Sequence, residues 1–159
     1  MIRYLDFDLE LTDWARDDAG GEAMLVRVSA SPAGEQRRAE ATRVTLDAGV
    51  RDVCRRLTRR ELDLAALVAL GKTLGELLLP APARAYYERS RAGLDESEGL
   101  RLRLKLDTWG AADLPWELAW LPPGAAATAA DAADLTGFLA LDKRLSIVRS
   151  LSHPEVSAR

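Results

Sequence analysis

A chain of 159 residues with 48% apolar and 30% charged side chains and a net charge of -3 is long enough to bury roughly two thirds of the surface its unfolded form exposes, so one domain with a substantial core is expected. That balance excludes wholesale disorder and argues against a polyanionic partner such as nucleic acid. A single cysteine, Cys54, and a single histidine, His153, exclude an intramolecular disulfide and a zinc site of the common Cys/His type, and neither a metal nor a cofactor is expected.

In chain order, Leu5, Phe7, Leu9 and Leu11 alternate with Asp6, Asp8 and Glu10, which predicts a half-buried strand ending near Thr12. The same acids stand where a secretion signal needs an unbroken apolar region, and the longest uncharged apolar run, Leu64 to Gly71, is far short of a membrane span. The expected location is therefore the cytoplasm, without a membrane partner. Turn residues from Asp17 to Gly21 lead into a second strand, in which Met24, Val26 and Val28 alternate with Leu25, Arg27 and Ser29. After the turn Ser31-Pro32-Ala33-Gly34 a third, weaker strand is expected over about Arg38 to Leu46. Short connections favour antiparallel neighbours, so the three strands should form a meander.

Helical signals begin at Asp47, and the firmest start is Thr58-Arg59-Arg60-Glu61, a capping box opening a long helix. Leu67, Leu70, Leu74, Leu77 and Leu78 lay one apolar stripe along it until Pro80 stops the run. A second helix is expected from Pro82 to Gly93, the latter as a left-handed terminator. From Leu100 to Leu106 leucines alternate with Arg101, Arg103 and Lys105, a strand with one buried and one wet face. The chain then turns at Trp109-Gly110, enters a corner at Pro115-Trp116-Glu117 and crosses an alanine-rich loop, Gly124 to Thr136, with room for a helical turn. The runs Gly137 to Leu141 and Leu145 to Arg149, joined by Asp142-Lys143-Arg144, read as a C-terminal hairpin. The fold class is α/β, with α+β as the alternative, in a single domain over 1–151 followed by a polar tail over 152–159.

Few residues suggest chemistry. Cys54 and His153 are the one pair that fits a thiol nucleophile with an imidazole base, but Cys54 falls in a helix and His153 in a polar tail. Gly71-Lys72-Thr73 has the end of a phosphate-binding loop without its earlier glycine, and lies inside a helix. Arg51, Arg55, Arg56, Arg59 and Arg60 read as a solvated helix face, because Asp52, Glu61 and Asp63 interleave with them. Three of the four tryptophans, Trp109, Trp116 and Trp120, fit a cemented corner better than an aromatic ligand platform. Beside Trp116, Glu117 needs a cation; Arg149 is expected rather than Arg144, because Leu145, Ile147 and Arg149 share one side of their strand.

The segment Leu114-Pro115-Trp116-Glu117-Leu118, followed by Gly137-Phe138-Leu139-Ala140-Leu141 and Ser146-Ile147-Val148-Arg149, resembles the CHAT family, caspase-like domains often attached to TPR arrays in bacteria. Leu74 to Leu78, Tyr87 to Ser90 and Gly99 to Leu104 are similar to that family's run into its Pro-Trp-Glu corner, and Ser31 to Glu35 to its usual start. In the family a histidine after a glycine-rich strand and a cysteine after a later strand hydrolyse peptides. Neither Cys54 nor His153 matches those motifs. The resemblance implies the N-terminal, non-catalytic half of a caspase-like cysteine peptidase, a scaffold or regulator for a catalytic half absent from this chain. Pro115, Trp116, Glu117 and Arg149 are then its structural motif, with no catalytic, cofactor-binding or metal-binding residue. A stand-alone protein-interaction module in a bacterial signalling or defence system is the alternative. Either way, Leu100 to Leu106 and the hairpin would lack flanking strands. The expected partners are a catalytic half, a TPR-type protein or a second copy, met at an open sheet edge.

Overall fold

The alternating stretches near the N-terminus and before the Pro-Trp-Glu corner lie side by side in the computed structural model, which describes residues 1–122 and 135–151. Strands β1 (Arg3–Arg16) and β4 (Glu98–Leu106) run parallel, in register from Arg3 opposite Glu98 to Leu11 opposite Leu106. On the other side of β1, β2 (Glu22–Ala30) and then β3 (Thr42–Leu46) follow as the expected antiparallel meander. Strand β5 (Leu145–Leu151) lies parallel to β4, so the fold is α/β with a mixed five-stranded sheet of order β3-β2-β1-β4-β5. Helices α1 (Ala48–Thr58), α2 (Leu64–Leu78) and α3 (Ala81–Ala92) connect β3 to β4, and a short α4 (Trp109–Ala112) follows β4. Among the described residues no single helix is long and apolar enough to cross a membrane.

Period-two alternation gives this sheet one dry and one charged face. Phe7, Leu9 and Leu11 of β1 and Leu100, Leu102, Leu104 and Leu106 of β4 are wholly buried, in one cluster with Leu70, Leu74 and Leu78 of α2 and Tyr87 of α3. On the opposite face Asp6, Asp8 and Glu10 stand in register with Arg101, Arg103 and Lys105. Arg103 binds Asp8 through Nε at 2.6 Å, Lys105 reaches the same carboxylate at 3.1 Å, and Arg101 holds Asp6 at 2.7 Å. Roofed by these side chains, Asp8 is only 2% exposed; the Arg103 hydrogen bond outweighs desolvation and holds its carboxyl below the usual range.

Several expectations are corrected. Gly137 to Leu141 is not a strand and forms no hairpin with Leu145–Leu151: Leu139–Leu141 is a 3-10 turn, and β5 pairs parallel with β4. The backbone of the apolar run is already engaged, Leu121 N–H donating to Gly137 O at 2.9 Å and Leu139 N–H to Ala119 O at 3.0 Å. A short run without alternation does not by itself separate strand from turn. Consequently Leu100 to Leu106 is an interior strand, not an open edge. The capping box at Thr58 also fails: Thr58 ends α1 and its hydroxyl donates back to Cys54 O at 3.2 Å, while Arg60 takes a left-handed φ of 59°. Asp47 and Asp63 cap α1 and α2 instead, accepting from Val50 N–H at 3.2 Å and Ala66 N–H at 2.8 Å. These short aspartates reach the first-turn amides from an extended backbone. Gly93 ends α3 with φ of -85°, not left-handed. The first strand continues past Thr12 through a left-handed Asp13, Arg38–Glu40 is a 3-10 turn before β3, and Trp109-Gly110 opens α4. The alanine-rich stretch over 123–134 and the tail over 152–159 with His153 lie outside the described residues.

One buried carboxylate ties four elements together. Glu22 at the start of β2, with its side chain 2% exposed, accepts from Arg51 of α1 through Nε at 2.9 Å and Nη2 at 2.8 Å, and from Trp14 Nε1 of β1 at 2.8 Å. Arg51 also donates to Gly110 O of α4 at 2.5 Å. Removing one member of a buried pair leaves the other uncompensated, so Glu22→Gln should lower stability by about 3 kcal/mol in urea unfolding. Arg51 holds the Glu22 carboxyl below its ordinary value. With the folded value depressed, this stabilisation is present above the unfolded-chain value and lost as pH falls through the folded one. The acid limb of a stability–pH curve should therefore be shallower in Glu22→Gln.

Candidate functional site

The corner that carries the family resemblance is assembled from local rules. Thr108 caps α4 by accepting from Ala111 N–H at 3.3 Å, and Pro115 leads into a 3-10 turn, Trp116–Leu118. Trp116 is wholly buried and its indole N–H donates to Ala111 O at 2.8 Å, which lets a large ring enter the core without an orphaned donor. Glu117 then meets Arg149 of β5, whose Nε donates to Oε1 at 2.5 Å and whose Nη2 bonds Oε2. Arg149 also donates to Ala112 O at 2.5 Å and to Leu114 O at 2.9 Å. Pro115, Trp116, Glu117 and Arg149 thus come together as expected. The surroundings differ: the Glu117 side chain is 49% exposed rather than sealed in an apolar corner. The Arg149 hydrogen bond still holds its carboxyl below the usual range.

Two glycines on α2 seat the far side of the corner. Trp120 N–H donates to Gly71 O at 2.8 Å, and a Cβ at Gly75 would stand 2.1 Å from Trp120 O. Gly71 and Gly75 are spaced four apart and so form one notch on the helix face, into which the backbone of Leu118 to Leu121 presses. Gly71-Lys72-Thr73 is therefore a packing feature, with the Lys72 ammonium 4.7 Å from the Trp120 ring centroid. The small-residue spacing was visible in the sequence, but nothing in it named the segment received.

Beyond the corner lies β5, the edge of the sheet. Leu100 N–H donates to Arg144 O at 2.8 Å. Parallel ladders alternate, so the amides of Ser146, Val148 and Ser150 face β4 while those of Ile147, Arg149 and Leu151 face outward. No described strand pairs with that outer row. Val148 and Leu151 stand 43% and 40% exposed beside it.

The remaining candidates are scattered. Cys54 lies half-buried on α1, where burial pushes its thiol above the ordinary cysteine value, so it is protonated at neutral pH. Its notional base, His153, is outside the described residues. Of the arginine cluster, Arg51 is consumed by Glu22 and Arg55 pairs with Asp52, which leaves no organised phosphate cradle among them. Trp109, 72% exposed, takes no part in the cemented corner. Compared with protein-family models, curated proteins and solved structures, the chain finds no match.

Arg149→Met strips two backbone carbonyls and Glu117 of their donor, whereas Glu117→Gln loses only a half-exposed ion pair. In chemical denaturation we expect about 2–3 kcal/mol for the former and about 1 kcal/mol or less for the latter. Gly75→Ala should destabilise by about 2 kcal/mol, the clash with Trp120 O outweighing the ~1 kcal/mol gain in helix propensity.

Proposed function

We propose that this chain is a non-catalytic protein-binding unit, the N-terminal portion of a CHAT-type, caspase-like assembly that braces a catalytic partner in the cytoplasm. The observation that supports this most is β5: a parallel edge strand, with its core face packed by the corner and its outer amides unpaired by any described strand. An edge strand presents a row of unpaired N–H and C=O groups, a ready template for pairing with another chain. An incoming strand gains main-chain hydrogen bonds from such an edge and specificity from alternate side-chain pockets. Arg149 anchors β5 to the corner through its three acceptors, so the edge is preformed and little ordering cost falls on association. The residues that resemble the family, Leu114 to Leu118 and Ser146 to Arg149, are the ones that build this edge and its support.

A second reading, a stand-alone interaction module, is favoured by the exposure of Val148 and Leu151 on the same strand; its partner is a second copy meeting the edge. Residue-resolved hydrogen exchange tests both. In the dilute chain the outward amides of Ile147 and Arg149 should exchange fast and those of Ser146 and Val148 slowly. Protection of Ile147 and Arg149 should appear on mixing with a catalytic partner under the first reading, and on raising the chain's own concentration under the second. Full protection of both amides in a dilute monomer would sink the edge as a docking strand. Peptide turnover by the purified chain that vanished in Cys54→Ala would sink the non-catalytic assignment.

A further inference from the structure

Independent of that edge, a cavity of about 560 Å³ opens between α3 and the Leu139–Leu141 turn. Arg84, Tyr87, Glu88 and Arg91 recur at three and four residues along α3 and so present one face to it. Phe138 and Leu139 line the facing wall with Leu121. This is the size and make-up of a small-molecule site, mostly apolar with a few convergent polar groups.

The charges are unevenly satisfied. Arg91 donates to Asp142 at 2.6 Å and stands 5.9 Å from the Tyr87 ring centroid. The Arg84 side chain makes no hydrogen bond or ion pair with any described residue, and its Nε is buried without an acceptor, while its backbone N–H donates to Pro80 O at 2.8 Å. A buried guanidinium Nε–H normally has an acceptor, and none of the described residues provides one. Its planar fork matches a carboxylate or a phosphate. Among the described residues of the wall the four charged groups, Arg84 and Arg91 against Glu88 and Asp142, sum to zero. A second negative charge on the ligand would thus be repelled by two carboxylates without a further cation to offset it, which favours a monoanion. The apolar wall asks for an apolar body on the same molecule.

We propose that this cavity binds a small monocarboxylic acid with an aromatic or branched apolar body, its carboxylate on Arg84 and its body against Phe138 and Leu139. Titration of the intact chain with 3-phenylpropionate, followed by ligand-observed NMR, tests this. We expect saturable binding, weakened about tenfold or more in Arg84→Gln, with competition by inorganic phosphate weak. Because the Arg84 side chain has no hydrogen-bond partner among the described residues, Arg84→Gln should leave the urea midpoint unchanged, which separates loss of the site from loss of the fold. Equal binding of the neutral 3-phenylpropanol by the unaltered chain would overturn the role of the carboxylate without needing any variant. Tighter binding of acetyl-Ala-Phe than of 3-phenylpropionate would overturn the free acid in favour of a polypeptide C-terminus. Absence of saturable binding up to the acid's solubility would overturn the site.

Discussion

The structure depends on the parallel pairing of β1 with β4, which is complementary on both faces at once. With Leu5 opposite Leu100 and Asp8 opposite Arg103, one register places every leucine of the pair under the helices and every acid beside a base. A slip by one residue would turn each side chain to the other face. Phe7, Leu9, Leu11 and the four leucines of β4 are all wholly buried, and each is worth about 1.5–3 kcal/mol. The ion pairs across the wet face are worth about 0–1 kcal/mol apiece. Apolar burial therefore decides the register, and the charges penalise the alternatives to it.

Everything else is hung from that pair. β1 accepts β2 on one side through a local hairpin and β4 on the other across most of the chain, so the sheet joins a local meander to a non-local parallel half. Glu22 and Arg51 close the seam between the two, pinning α1 to β2 and reaching Gly110 beyond β4. The glycine notch of α2 holds the corner at the opposite end, and the Arg149 fork fastens β5 to it.

That arrangement separates two surfaces of different chemistry. The open face of β1 and β4 is an ionic lattice that satisfies itself: Asp8 is already roofed by Arg103 and Lys105 and needs no cover. The β5 edge offers outward backbone groups, and the α3 cavity offers a guanidinium whose Nε has no acceptor among the described residues. Recognition by the first would rest on main-chain hydrogen bonding and by the second on one charge-assisted contact, so the two can act without sharing a residue.

The sequence by itself determined the strands β1, β2 and β4, because period-two alternation of leucine with charge has no helical reading, and it determined the meander, because short links leave no other arrangement. It also carried the Glu117–Arg149 contact, since alternation along β5 put Arg149 on the side of Leu145 and Ile147. The tertiary structure alone decided whether Gly137 to Leu141 would be strand or turn, for that run lacks alternation and its amides and carbonyls are taken by Ala119 and Leu121. Likewise Asp63 rather than Thr58 starts α2, because the Asp63 carboxylate accepts from Ala66 N–H while the Thr58 hydroxyl turns back to Cys54 O at the end of α1. The parallel placement of β5, and with it the open edge, depends on a partner strand some forty-five residues away in register. The α3 cavity depends on two distant walls meeting around an arginine that no local pattern marks as unpartnered. Local periodicity records which face of an element is dry, and only the meeting of distant elements records which edge and which charge are left over.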